Sequence, residues 1–263
     1  MKDREKILRY FEASGEEAGE MAKRLLDLAE AVDGGRPFAV SPFLSPFAVQ
    51  IGMTIAAHTQ TVSCQNNGGF HEAERVRIVF VRQDYNGPVD FGITALKVTW
   101  DARYRLLGHR DVLGSLMGLG IERDVFGDIL MDGASAAILV DKKMAPWISE
   151  NFKKIAMVPV TAVEMDLADV TPPKQEAKIV RATVASLRLD AVGAAGFGIS
   201  RSKMASAIEG ERVQVNWQTA KGASQAVKVG DVISYRGRGR IEIKELTGQS
   251  RKGRIGVLID RYR

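Results

Sequence analysis

A polar stretch with two adjacent prolines, DLADVTPPKQEAK at residues 166–178, falls where the charge of the chain changes sign. Adjacent prolines fix two φ angles and withhold two N–H donors, so neither a helix nor a central strand is expected to run through Pro172-Pro173. Residues 1–177 hold 20 basic and 25 acidic side chains, whereas residues 178–263 hold 17 and 7. The stretch therefore reads as a linker, and several small cores are expected in preference to one. The overall net charge of +5 hides a basic final third, which suits a polyanion: nucleic acid first, an anionic membrane second.

No apolar run approaches the ~20 residues of a membrane span, and the charged start MKDREKILRYFEASGEE does not read as a signal peptide. One cysteine, Cys64, excludes an intramolecular disulfide framework and a cysteine-based zinc site, which fits a reducing cytoplasm. His58, His71 and His109 lack zinc-ligand spacing, and no phosphate-binding glycine loop opens a helix, so neither a metal nor a cofactor is expected.

Apolar spacing predicts helix over residues 3–33, broken near Gly15 and Gly19, and a helix from Ser45-Pro46, with strands at TVSCQ and VRIVFVR around the polar turn NNGGFHEAER. Residues 91–165 read as β-α-β-β-α-β, the ferredoxin-like order shared with RNA-recognition domains, with a hairpin at Asp132-Gly133. The aromatic motif with which those domains stack bases is absent from these strands. After the linker come a strand, two helices beginning near Arg188 and Ser200, and several strands. The expected fold is α+β, with an N-terminal α/β domain (1–88), a ferredoxin-like middle domain (89–165), a linker (166–178) and a basic C-terminal domain (179–263).

Arg201 and Lys203 occupy the first turn of the helix capped by Ser200, where the helix dipole already carries positive charge. An anion is the expected partner, and phosphate is a common one at such a turn. Arg236, Arg238 and Arg240 alternate in YRGRGRIEI and would share one face of a strand, facing RNA or guarding a sheet edge. His109 and Arg110, opening another helix, are candidates for a second phosphate contact or a structural cap.

The C-terminal series resembles the S-four RNA-binding domain, named after the fourth small-subunit ribosomal protein. The residues carrying the likeness are Arg188-Leu189-Asp190, Ser200-Arg201-Ser202, Val213-Gln214-Val215-Asn216, Ser224, Val227, Gly230-Asp231 and Arg236-Gly237-Arg238-Gly239. By that resemblance Arg188, Ser200, Arg201, Lys203, Asn216, Lys221 and Arg238 are candidate RNA contacts, with Asn216 alternatively a turn residue and Asp190 an orienting one. Across nearly its full length the chain resembles the YlmH family, through HRDVLGSLMGLGIERDVFGDIL (109–130) and GGFHEAERVR (68–77).

The resemblance implies a non-catalytic factor that binds rRNA or tRNA on the large ribosomal subunit when peptidyl-tRNA obstructs it. Nothing in the sequence calls for an oligomer, so a monomer is expected. Two other functions are expected to compete. A protein-interaction adaptor, for instance in cell division, would use the basic domain only for localisation. A pseudouridine synthase would use Asp190 of RLDAVGAAG, but too few residues follow Asp190 to build a synthase domain.

Overall fold

The N-terminal apolar stripe folds as two helices, α1 (Arg4–Glu12) and α2 (Glu16–Asp33), hinged at Gly15, whose φ of 129° suits glycine and strains other residues. Gly19 lies inside α2 and makes no break; a Cβ there would meet Glu12 Cγ at 2.9 Å, so its bareness lets α1 fold back. Arg4 holds that return, reaching Asp27 at 2.7 Å and Glu30 at 2.6 Å. The computed structural model describes residues 3–101, 103, 107–172, 177–249 and 253–262. These form two compact units, Met1–Pro173 and Lys174–Arg263. Residues 173–176 of the expected linker, and Arg251 and Lys252 of the tail, lie outside the described residues.

In the first unit, β1 (Phe38–Leu44) is a strand that periodicity did not suggest, because Ser41-Pro42 and a bulge between Val40 and Phe43 interrupt its alternation. The helix α3 (Pro46–Ala57) begins as expected, with Ser45 accepting from the Ala48 N–H at 3.4 Å and Pro46 at its first position. The strands β2 (Val62–Asn67) and β3 (Val76–Arg82) complete a sheet in the order β1-β3-β2.

The next stretch runs β4 (Ile93–Trp100), α4 (His109–Met117), β5 (Phe126–Asp132), β6 (Ser135–Asp141), α5 (Ala145–Asn151), the two-residue β7 (Lys154–Ile155) and β8 (Val158–Met165). They form one antiparallel sheet ordered β5-β6-β4-β8-β7. Asp132 pairs with Ser135, so the hairpin loop is Gly133-Ala134, one residue beyond the expected position, with Gly133 at φ 55°. The stretch APWISENFKKI (145–155) reads as helix throughout, but α5 stops at Asn151, because Lys154 and Ile155 pair with Pro159 and Val158.

Val112, Leu116, Ile148 and Phe152 pack against Leu96, Val98, Phe126 and Ile138 on one sheet face. On the other face Phe43 of β1 lies with Ile93, Ala95 and Leu139, so β1 covers part of that sheet. The remainder of this face presents Lys97, Thr99, Thr161 and Val163 and no aromatic ring from β4 or β8.

The second unit is built from β9 (Lys178–Val184), α6 (Leu189–Phe197), α7 (Arg201–Glu209), β10 (Val213–Val215), β11 (Gln218–Thr219), β12 (Val232–Tyr235), β13 (Gly239–Gln249) and β14 (Ile255–Tyr262). Its antiparallel sheet is ordered β11-β10-β12-β13-β14-β9. Leu189, Val192, Phe197, Met204 and Ile208 of the helices close over Ile233, Ile241, Val257 and Ile259. A Cβ at Gly193 would fall 2.4 Å from Met204 Cε, so this glycine leaves room for the end of the Met204 side chain between α6 and α7. Among the described residues no helix is long and apolar enough to cross a membrane.

Candidate nucleic-acid interface

The anion that Arg201 requires is supplied from within the domain. Asp190, in the first turn of α6, is 6% exposed; its Oδ2 accepts from Arg201 Nη2 at 2.7 Å. Arg188, the residue before α6, donates to the same carboxylate through Nε at 3.2 Å and Nη2 at 3.3 Å. Burial pushes the Asp190 carboxyl up, but the two arginines outweigh it and hold its pKa below the ordinary carboxylate value. The arginine side chains remain 43% and 55% exposed, so each is fixed on its inner side and open to solvent on its outer side.

Ser200 caps α7, accepting from the Lys203 N–H at 3.3 Å, and its hydroxyl lies 3.0 Å from that of Ser202. The Lys203 ammonium has no partner among the described residues. The loop carrying Lys221 is stitched to the start of α6, where Leu189 N–H donates to Gln225 O at 2.8 Å and Asp190 N–H to Ala223 O at 3.1 Å. Its backbone N–H is held by Gln225 Oε1 at 2.8 Å and its residue surface is exposed.

Asn216 is committed to the sheet. With Trp217 it forms the two-residue turn between β10 and β11, both at positive φ. Its Nδ2 donates to Asp231 Oδ1 at 3.0 Å and its Oδ1 accepts from Val232 N–H at 2.9 Å, so the side chain holds strands together.

The expected arginine-lined strand face is not present. β12 ends at Tyr235, which pairs with Gly239, so residues 236–238 form a turn, with Gly237 and Gly239 at φ 87° and 88°. Strand alternation does not apply across a turn. The Arg238 guanidinium lies 5.7 Å from the Tyr235 ring centre, and Arg240, on β13, lies 5.2 Å from that of Tyr262, its cross-strand partner. Arg236 precedes both in the chain, its N–H donating to Arg212 O at 2.9 Å.

Arg212 is a cation that sequence reasoning missed. It reaches within 5.4 Å of the Tyr235 ring centre and lines the same depression as Lys203 and Arg238. Its place at the mouth of a strand gives no spacing signal.

In the first unit, α4 is capped by Asp111, whose Oδ2 accepts from Gly108 N–H at 2.9 Å. Desolvation and the nearby Arg123 cation lower the His109 pKa, which disfavours the charged imidazole that phosphate would attract. Arg110 is exposed and without a side-chain partner among the described residues. Below this helix the two expected family signatures meet, where Asp128 accepts from the N–H groups of Glu74 at 2.7 Å and Arg75 at 3.1 Å. Glu74 and Arg75 are therefore partly buried, unlike the exposed His71 and Glu72 beside them.

Arg75 Nη2 donates to Phe43 O at 2.9 Å, and Arg123 Nη1 to Phe126 O at 2.6 Å. Burial and the neighbouring Arg75 charge bring the Arg123 pKa down to about 10. These arginines direct donors into backbone carbonyls. Among the described residues no cluster of ligand side chains could hold a metal.

Three family models match in succession: "YlmH, N-terminal" over residues 17–85, "Putative RNA-binding domain in YlmH" over 87–169 and "S4 domain" over 187–233. The chain resembles ribosome-associated protein quality control protein P2 of Bacillus subtilis (strain 168), 30% identical over 226 residues, covering 85% of this chain and 87% of the relative. It also resembles the solved structure of cell division protein ylmH from Streptococcus pneumoniae, with a TM-score of 0.50 and 26% identity, over 59% of this chain and 94% of that one. With all three domain models present in order and a relative matched over most of its length, this chain belongs to the YlmH family.

Proposed function

We propose that this protein is a cytoplasmic, monomeric, non-catalytic factor that binds structured RNA on the ribosome, rRNA or tRNA of the large subunit, in ribosome-associated quality control. The observation that carries the proposal is the buried Asp190 carboxylate, which fixes two arginines and leaves their outer donors free for phosphate. Lys203 and Lys221 add unpaired charge, Arg212 and Arg238 extend the basic surface, and Ser200 presents a capped helix start. In this scheme residues 179–263 grip RNA, while 1–88 and 89–165 act together, with Arg110 the better of the two residues proposed for a second contact. The name of the Bacillus subtilis relative favours the ribosomal setting. The same Asp190 geometry argues against a pseudouridine synthase, because a carboxylate enclosed by two arginines is poorly placed to act as a nucleophile.

The test is co-sedimentation with ribosomal particles, followed by crosslinking and sequencing of the bound RNA, for the intact protein and for Arg201→Glu with Lys203→Glu. The double change is expected to weaken association by roughly tenfold or more at moderate salt, with discrete crosslinks to large-subunit rRNA or tRNA lost. Unchanged association would overturn the assignment of this face. The name of the Streptococcus pneumoniae structure favours a second reading, an adaptor in cell division. That role requires a protein partner captured through residues 1–165 and indifferent to nuclease.

A further inference from the structure

Beside the Asp190 cluster, α7 and the turn at residues 236–238 enclose a depression of about 350 Å³. Ile199, Ser202, Lys203, Ser206 and Ala207 recur at the helical spacing and form one wall. The opposite wall is Tyr235 with Arg212 and Arg238, whose guanidinium carbons lie 5.4 and 5.7 Å from its ring centre. Tyr235 and Ala207 are themselves buried and close the bottom, two serine hydroxyls stand on one side, and three cations line the depression.

We infer that this depression receives one unpaired nucleotide of the bound RNA. The inference rests on the RNA-binding function proposed above and adds to it a distinct kind of contact. A regular duplex offers phosphates but keeps its bases stacked, so it could use the three cations and would leave the interior of the depression unused. An extruded base would cover Ile199, stack on the Arg212 and Arg238 guanidiniums that lie over Tyr235, and hydrogen-bond to Ser202 and Ser206. Its phosphates would lie on Lys203, Arg212 and Arg238. The volume lies near the lower end of small-ligand sites and suits a single nucleotide. Lys203 belongs both to this wall and to the basic first turn of α7, so the strand that follows the Asp190 face passes the opening.

The experiment compares the full-length protein binding two hairpin RNAs that are identical except for one bulged, unpaired nucleotide in the stem. The wild type is expected to prefer the bulged hairpin by roughly tenfold, the scale of one base stacked on a protein surface. Ser206→Gln places a longer side chain in the depression from an exposed position. It is expected to abolish that preference while leaving affinity for the fully paired hairpin unchanged. Equal wild-type affinity for the two hairpins, or a preference that survives Ser206→Gln, overturns the nucleotide site without touching backbone binding by the Asp190 face. Competition by free uridine monophosphate at concentrations near the hairpin affinity overturns it in favour of a free-nucleotide site. Absence of salt-dependent binding to either hairpin overturns both this site and the RNA-binding function beneath it.

Discussion

Asp190 in the C-terminal unit and Asp128 in the N-terminal unit both lie among arginines, and they organise them in opposite ways. Asp190 accepts arginine side chains, so Arg188 and Arg201 are anchored inward and keep donors facing solvent. Asp128 accepts the backbone N–H groups of Glu74 and Arg75, and the arginines around it bond to the carbonyls of Phe43 and Phe126. The titrations follow the same division. Burial raises the Asp128 pKa despite its two backbone hydrogen bonds, whereas arginine pairing lowers that of Asp190. Two basic clusters thus differ in where their donors point. One is available to a polyanion, and the other is committed to joining segments distant in sequence.

The largest effect is expected at Asp128. Asp128→Ala leaves two partly buried N–H groups without their acceptor and should destabilise the first unit by about 2 kcal/mol or more, read as a lower Tm. RNA affinity of the protein that remains folded should be unchanged. A fall in affinity with no loss of stability would erase the distinction between the clusters.

Asp190→Asn separates charge from position. It removes a negative charge from a basic face, so Coulomb attraction alone predicts tighter RNA binding. Loss of the fixed arginine geometry predicts binding weaker by roughly threefold to tenfold, measurable by hairpin titration at two salt concentrations. Tighter binding would show that the arginines need no positioning.

Acidification is the gentlest probe, and its sign differs between the units. The folded-state pKa of Asp190 lies below its ordinary value of 3.8, so its stabilisation is present above that pH and is lost as pH falls through the folded value. That of Asp128 lies above 3.8, so its contribution is present below that pH and is lost as pH rises through the folded value. Acidification from about pH 5 to about pH 3 should therefore lower the contribution of Asp190 and raise that of Asp128. Amide exchange, corrected for its intrinsic pH dependence, should record less protection in α6 and more at the core amides of β5 and β6, which open only with the first unit as a whole. A change of the same sign at both places would contradict the opposed shifts.

Local signals account for most of what could be read in the sequence. Ser45 and Ser200 announce their helices because a cap satisfies N–H groups only two or three residues away. The resemblance identified the Arg188, Arg201 and Lys203 region, but the internal anion was less legible. Arg188 and Asp190 are close in sequence, whereas Arg201 reaches Asp190 only because α7 folds back beside α6. β1 was missed because Ser41 and Pro42 disguise its period, while its burial comes from β3 and a neighbouring sheet. The arginines at 236–240 misled for the converse reason: their spacing fits a strand, but a turn there rotates Arg238 towards Tyr235 and Arg212.

The ring of Phe43 also has a consequence for inheritance. It belongs to one segment and fills the sheet face of another, resting with Ile93, Ala95 and Leu139. A gene fragment encoding residues 89–165 alone would deliver that sheet with an oily gap where the ring stood, a poor starting point for a free-living module. Recombination can transplant the C-terminal unit with its own core intact. The first two segments, fastened by this phenylalanine and by the Asp128 hydrogen bonds to Glu74 and Arg75, have to travel as a pair.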